Sequence, residues 1–363
     1  MATPKDVVWE RDPHTAIKHQ MLQTYLQAWF PIIAKGWIST GLTFVDAFAG
    51  PGDYSDGAVG SPIIALQQAS RTEVTQHGGP LRLLLIEQDK RRFEHLQALI
   101  TKKFPAESRP PQWDLRVQHG DCREALLDAM TAMNTWTGPM FVNCDGWGVD
   151  TPYEIVERVG AVKSSEVLIT LQTQFLVRFT QLEDLDTGDR VFGDTAWRSI
   201  AGTGTPNEKK RNLVDYYRQR LNDANFSHTL TFELVDEGGH ALFLIFGTQS
   251  ELGVSKMKDA MWRVDRIQGS HFRDPRDVNQ MTFDVEEHPN LTVLKSQILA
   301  RLEGGNRTLE DLKNFALVET VFKGTHAVDA VTQLAADGKV LRSTAKKHAD
   351  VEVSLPPKSL FDQ

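Results

Sequence analysis

A chain of 363 residues with 40% apolar and 24% charged side chains has the balance of a globular protein, long enough for one large domain and a smaller appendage, and not that of a disordered or fibrous one. No run approaches the roughly 18 unbroken apolar residues of a membrane helix, and Met1 to Arg11 lacks the apolar core of a signal peptide, so a cytoplasmic protein with no membrane partner is expected. Two cysteines, Cys122 and Cys144, are too few for a thiolate zinc site or a disulfide framework and read as free thiols, and a net charge of −8 excludes a surface built throughout to grip nucleic acid while allowing a local basic face.

Asp12 can cap a helix over Pro13 to Gly36, where Ile17, Met21, Leu22, Tyr25, Leu26, Trp29 and Phe30 recur at spacings of three and four. Strand-like runs then alternate with helical patterns. Strands are predicted over Leu42 to Ala47, Leu81 to Glu87, Leu115 to His119, Met140 to Cys144 and Val167 to Leu171. Helices are predicted over Ser61 to Ala69, Lys90 to Phe104, Cys122 to Met133 and Thr151 to Val159. This alternation implies a doubly wound, Rossmann-like α/β sheet. A polar stretch from Gln181 to Lys210 precedes a helix over Lys210 to Asn222, and two strands follow, Thr229 to Val235 and Ala241 to Thr248. The short glycine-bearing turn from Asp236 to His240 makes them a hairpin. A doubly wound sheet ending in a hairpin resembles the seven-stranded sheet of class I methyltransferases, whose last strand is inserted antiparallel.

Met261 to Arg266 reads as a helix laid on the sheet, and Asp274 to Asn290, rich in Asp, Pro, Asn and Glu, reads as a linker. Helices over Leu291 to Leu302, Thr308 to Val318 and Ala327 to Ala336, Gly324 and Gly338 on either side of the third, and a short strand from Lys339 to Arg342 describe a winged helix-turn-helix. The expected domains are thus 1–285, 286–350 and a tail, 351–363. Between Leu291 and Asp350 nine Lys and Arg stand against seven acids, an excess compatible with phosphate contacts and equally with protein docking.

Residues able to carry chemistry cluster at predicted strand ends, where open α/β sheets bind ligands. The first strand runs into Asp46 and then Ala47-Phe48-Ala49-Gly50-Pro51-Gly52, small residues that let the backbone approach a ligand or simply make a tight turn. Ser55 stands where a dinucleotide fingerprint would place its third glycine. Ser61 as cap and Pro62 at the first helical position delay the next helix, leaving Asp53 to Val59 as a loop able to fold over a ligand. Glu87 can accept hydrogen bonds from both hydroxyls of a ribose, while Asp89 looks like a helix cap. Asp121, between Gly120 and Cys122, can bond an adenine amine and cap a helix at once. At the fourth strand end Asn143 or Asp145 could hold an acceptor group and Trp147 stack on it, although Asp145 also suits a plain turn. On the first helix His14 and Lys18 share a face with His19 adjacent, a trio that a surface helix often shows by chance; no acid or thiolate at matching spacing suggests a metal.

Together, His14-Thr15 with Lys18-His19, Leu22, Tyr25 and Leu26; the loop from Asp46 to Gly52; Gly60-Ser61-Pro62 with Ala65; Phe192-Gly193 with Trp197; Met261-Trp262; and the terminal winged helix resemble the three-Cys-motif partner family over nearly the whole chain. The resemblance implies a class I S-adenosylmethionine-dependent domain fused to a winged helix, with a place in phage, mobile-element or defence-linked modification of nucleic acid. On that reading Asp46, Phe48, Ala49, Gly50, Gly52, Glu87, Asp121, Cys122 and Asn143 hold the cofactor, and Asn143, Asp145 and Lys18 serve the acceptor. Where relatives show Asp-Pro-Phe-Gly at the fourth strand end, this chain has Asn143-Cys144-Asp145-Gly146. Two other readings stay open: a catalytically weak, cofactor-sensing module that recruits a partner through the winged helix, and a nicotinamide dehydrogenase, which the incomplete fingerprint and the hairpin disfavour.

Overall fold

The computed structural model describes residues 6–146, 151–181, 185–273, 289–345 and 347–357. They form two compact units, one running to Gly253 and regaining the chain at His271, the other starting at Val254 and resuming after the segment 274–288.

In the first unit α1 (Pro13–Gly36) leads to β1 (Leu42–Asp46), α2 (Ser61–Ala69), the single turn α3 (Thr72–Thr75), β2 (Leu81–Glu87), α4 (Lys90–Lys103), β3 (Trp113–His119), α5 (Cys122–Ala132), β4 (Met140–Cys144), α6 (Tyr153–Gly160) and β5 (Glu166–Leu171). Three helices follow, α7 (Thr173–Gln181), α8 (Asp186–Phe192) and α9 (Trp197–Gly202), then α10 (Pro206–Asp223), β6 (His228–Val235) and β7 (Ala241–Thr248). The sheet order is β3-β2-β1-β4-β5-β7-β6, closed at the far edge by β8 (His271–Arg273). Strands β1 to β5 are parallel, and β7 lies antiparallel between β5 and β6. The seven expected strands are present in the order that the methyltransferase resemblance implies. The eighth, three residues parallel to β6, was not legible in so short a run.

Burial explains the readable part. β1, β4 and β5 are buried at every position, as strands covered on both faces must be, whereas β3 at the edge is only half-buried. The predicted polar stretch from Gln181 to Lys210 instead holds α8 and α9, and α10 begins four residues early because Thr205 and Glu208 form a capping box. Phe192 and Trp197 hold this region together: their rings stack at 5.9 Å, Trp197 is fully buried, and a Cβ on Gly188 would lie 2.0 Å from its indole. Gly193 makes the intervening turn at φ +71°. The hairpin turn is shaped by Asp236, whose Oδ1 accepts from the N–H groups of Gly238 and His240 at 2.9 and 2.8 Å.

The second unit takes its first helix from before the 274–288 segment. Most of α11 (Glu251–Val264) belongs to it, followed by α12 (Thr292–Glu303), β9 (Arg307–Thr308), α13 (Leu309–Glu319), α14 (Gly324–Ala336), β10 (Leu341–Arg342) and β11 (Glu352–Ser354). The three short strands pair in the order β10-β11-β9, giving a winged helix. Trp262, expected in a helix on the large sheet, packs instead in this unit's core, and its Nε1 donates to the Val321 carbonyl at 2.9 Å. Glu352–Ser354 is a strand where a tail was expected. Nearly all of the predicted linker, residues 274–288, lies outside the described residues. Among the described residues no helix is long and apolar enough to cross a membrane.

Candidate functional site

The strand order reverses between β1 and β4, and there the chain leaves β1 in the glycine loop. Two backbone bonds pin it: Ala47 N donates to Asn143 O at 2.9 Å and Ala49 N to Ile86 O at 2.8 Å. Gly50 and Gly52 stand at φ +64° and +89°, a region that favours glycine. Their reasons differ. A Cβ on Gly52 would sit 2.7 Å from Leu96 Cδ1, so this glycine lets α4 pack, whereas a Cβ on Gly50 would meet nothing within 4 Å and would project into open space. Gly60 N donates to Gly52 O at 2.8 Å, closing the loop 53–59 into a ring. Gly60, not Ser61, is therefore the cap of α2, with Ser61 as its first residue.

Glu87, at the end of β2, is held on both oxygens: Gly50 N donates to Oε2 at 2.8 Å and Asp89 N to Oε1 at 2.7 Å. Burial raises its pKa, and these two amides and Arg92 oppose the rise. Asp89 caps α4, as expected, by accepting from Arg91 N and Arg92 N. Asp121 caps α5 through Arg123 N at 2.8 Å, pairs with the Arg123 guanidinium, and accepts from Gln88 Nε2 at 3.1 Å. The guanidinium bond holds its carboxyl below the usual range.

These groups line a cavity of about 580 Å³ at the carboxyl ends of the strands. Phe48, Ala49, Gly50, Gly52, Glu87, Asp121 and Cys122 form its β1–β3 side; His14, Lys18, His19, Asp145 and Gln172 form the side of α1, β4 and β5. Lys18 Nζ donates to Asp145 Oδ1 at 2.6 Å, and Thr170 Oγ1 donates to the same oxygen at 2.6 Å. Burial pushes the Asp145 carboxyl up, but Lys18, Thr170 and His19 together outweigh it and the net shift is downward. Trp9 and Tyr54 complete the rim, their rings edge-to-face at 5.6 Å, with Ser55 N bonded to Trp9 O at 2.9 Å and the Arg92 guanidinium over the Trp9 ring at 4.8 Å.

Asp46 and Asn143 stand behind this wall and do not line the cavity. Asn143 Nδ2 donates to Asp46 Oδ1 at 3.2 Å, and burial pushes the Asp46 carboxyl up to about 6. The pair braces the glycine loop from below. Trp147, expected to stack on an acceptor, lies outside the described residues. Sequence reasoning missed Trp9 and Gln172, reached Tyr54 only as part of the loop Asp53 to Val59, and read His14 and His19 as a surface feature although both are buried; the spacing of His14, Lys18 and His19 on one helix was the available signal.

A family model described as a GMT-like wHTH domain matches residues 272–347. No curated protein matches the chain. Among solved structures, Trm1 from Pyrococcus horikoshii in complex with S-adenosyl-L-methionine is similar at 11% identity over 98% of this chain and 94% of that one, with a TM-score of 0.40. TYW2 from P. horikoshii in complex with MeSAdo is similar at 14% identity, over 67% of this chain and 66% of that one, with a TM-score of 0.29. EvdMO1 is similar at 10% identity over 68% of this chain, with a TM-score of 0.33, and the chain spans only 44% of its length. The strand order described above is that of class I methyltransferases, a mostly parallel sheet with one reversed strand.

The arrangement divides the cavity chemically. A carboxylate anchored by two amides faces one end, suited to hydroxyls, and a matched ammonium and carboxylate with two imidazoles face the other. Among the described residues no group of three or more His, Cys, Asp or Glu could hold a metal ion.

Proposed function

We propose that the chain is an S-adenosylmethionine-dependent methyltransferase that modifies nucleic acid, a cytoplasmic relative of the three-Cys-motif partner proteins. The observation that carries the reading is Glu87: a carboxylate fixed by Gly50 N and Asp89 N, beside a left-handed glycine whose missing Cβ leaves the cavity open. A ribose needs such an acceptor pair, and backbone as bare as Gly50 lets a ligand lie against the loop. Glu87 would hold the ribose, Asp121 and Cys122 the adenine, and the backbone at Ala49 and Gly50 the methionine portion, with Asp46 bracing the loop from behind.

When bound, the sulfonium supplies an activated methyl group. The protein then has little covalent work: it must orient an acceptor lone pair and exclude water. Lys18 and Asp145 would position the acceptor, and Trp9 and Tyr54 would shield it. The winged helix would supply contacts to the nucleic acid, in a phage, mobile-element or defence setting.

Calorimetry with S-adenosylmethionine, S-adenosylhomocysteine and NAD tests the cofactor; the two sulfur compounds should bind and NAD should not, and failure of both sulfur compounds overturns the reading. Incubation with methyl-labelled cofactor and separate DNA, RNA and protein fractions tests the acceptor. A second reading, a cofactor-binding module that recruits a partner, draws support from Asn143, which stands at the family's acid position yet has its amide engaged by Asp46 off the cavity. Binding without transfer to any fraction would favour it.

A further inference from the structure

Two imidazoles on the α1 wall make no hydrogen bond to the glycine loop among the described residues. His14 and His19 are each 5% exposed and line the cavity, and Nδ1 of each is buried with no hydrogen-bond partner among the described residues. Nε2 of neither ring is in that condition, and no hydrogen bond to it occurs among the described residues, so in these two cavity-lining residues Nε2 is the ring nitrogen left accessible. The His19 ring is held at 5.6 Å from that of Tyr54.

A neutral imidazole has one proton and two places for it. On Nδ1 the proton would form a buried N–H with no acceptor, a condition that folded proteins rarely tolerate. On Nε2 it is available to a ligand, and only a bare lone pair is left inside. Burial resists a second proton on either ring, and Lys18 acts in the same direction on both; Asp145 opposes it at both, with Asp12 and Asp236 at His14, while Arg11 assists at His19. The Lys18 charge is matched by Asp145 at 2.6 Å. The wall therefore offers hydrogen-bond donors with no net charge.

We propose that His14 and His19, each with its proton on Nε2, are hydrogen-bond donors to a carbonyl oxygen of the methyl acceptor, which makes that acceptor a nucleobase with a keto oxygen beside the methylated atom. An anion would find no surplus positive charge to offset its desolvation, and an amino edge would set donors against donors. Among the described residues both side-chain bonds to Asp145 fall on Oδ1, which leaves Oδ2 to accept from an N–H next to the carbonyl. Guanine, uracil and thymine present that pairing of N–H and C=O, and adenine does not. His14 and His19 are thus positioning donors and not bases.

The substrate half of this inference rests on the methyltransferase reading, and the tautomer half does not. In full-length protein labelled with nitrogen-15 histidine, long-range proton–nitrogen correlations at neutral pH report each tautomer, with assignments from the signals lost in His14→Gln and His19→Gln. Both rings should be neutral and protonated on Nε2; an Nδ1–H tautomer or an imidazolium at either position overturns the proposal. Transfer from methyl-labelled cofactor to poly(U), poly(I) and poly(A) then tests the edge. Poly(U) or poly(I) should be labelled about tenfold or more above poly(A), and His14→Leu or His19→Leu should raise KM about tenfold with a smaller change in kcat, partly restored by Gln with its amide N–H. Equal labelling of poly(A), or label in none of the three while the cofactor binds, overturns the keto assignment. Absence of cofactor binding would instead sink the methyltransferase reading, with the tautomers still deciding the donor assignment.

Discussion

Glu87 and Gly50 separate two demands that one loop must meet, since the carboxylate faces a ligand and is also held by the loop's own amide. Glu87→Gln keeps the shape and one acceptor oxygen but loses the charge, and should weaken S-adenosylmethionine binding by roughly 10- to 100-fold, about 1.4–2.8 kcal/mol. Calorimetry that shows unchanged affinity would remove Glu87 from the site. Glu166, buried among Tyr25 and Thr248, which donate to it at 2.5 and 2.7 Å, is of another kind. Burial raises its pKa from 4.5 to about 7, so the folded chain holds the proton more tightly than the unfolded one. Its contribution to stability is then full below the unfolded value and is lost as pH rises through 7, at a slope of at most about 1.4 kcal/mol per pH unit. Denaturation of Glu166→Gln at a series of pH values should show a flatter decline over that window, and parallel curves would refute the assignment. The acids at strand ends were legible because each sits where a parallel strand must stop. Trp9 was not, because nothing in the order along the chain says that residues near Trp9 return to the loop at Ser55.

Among the elements, the strands were readable because β1, β4 and β5 are mostly apolar runs, and α1 because its buried positions recur at helical spacing. α8 and α9 were not, being about two turns each, too short for their few apolar residues, Val191, Phe192, Trp197, Ile200 and Ala201, to set a helical period. α11 was placed wrongly for a similar reason: its sequence shows a helix but not which core it joins. Within the second unit Lys258 is fully buried, and its ammonium donates to the carbonyls of Ala316, Leu317, Thr320 and Phe322 at 2.6–3.1 Å. Those carbonyls end α13 and form the turn before α14, so one cation from α11 caps the helix-turn-helix. Lys258→Met should destabilise the unit by about 2–4 kcal/mol, read by denaturant unfolding followed through Trp262. A loss under about 0.5 kcal/mol would show that the carbonyls find other partners. In the wing, Arg342 and Lys347 are exposed. Arg342→Ala with Lys347→Ala should weaken binding to nucleic acid and lower the slope of log K against log salt by about one per lost phosphate contact. An unchanged slope would move the contact elsewhere.

For the whole molecule, a net charge of −8 means that any grip on nucleic acid is local and sensitive to salt. Cofactor binding and polymer binding should therefore respond to different substitutions, with Glu87→Gln sparing the second and the wing variant sparing the first. The winged-helix family match covers residues 272–347, yet the unit's packing begins at Val254, and Lys258 and Trp262 lie outside the matched span. The chain is thus interleaved, with one unit's opening helix encoded ahead of the segment 274–288. Full-length protein cut once within that segment should still migrate as a single particle on gel filtration and come apart only in denaturant, because the leading fragment keeps Val254–Ser270 as a tenon in the trailing one. Fragments that separate under native conditions would contradict this. For recombination between relatives the consequence is a restriction: a crossover in 274–288 swaps a domain by name but splits its core, so the heritable module begins one helix earlier than the recognisable one.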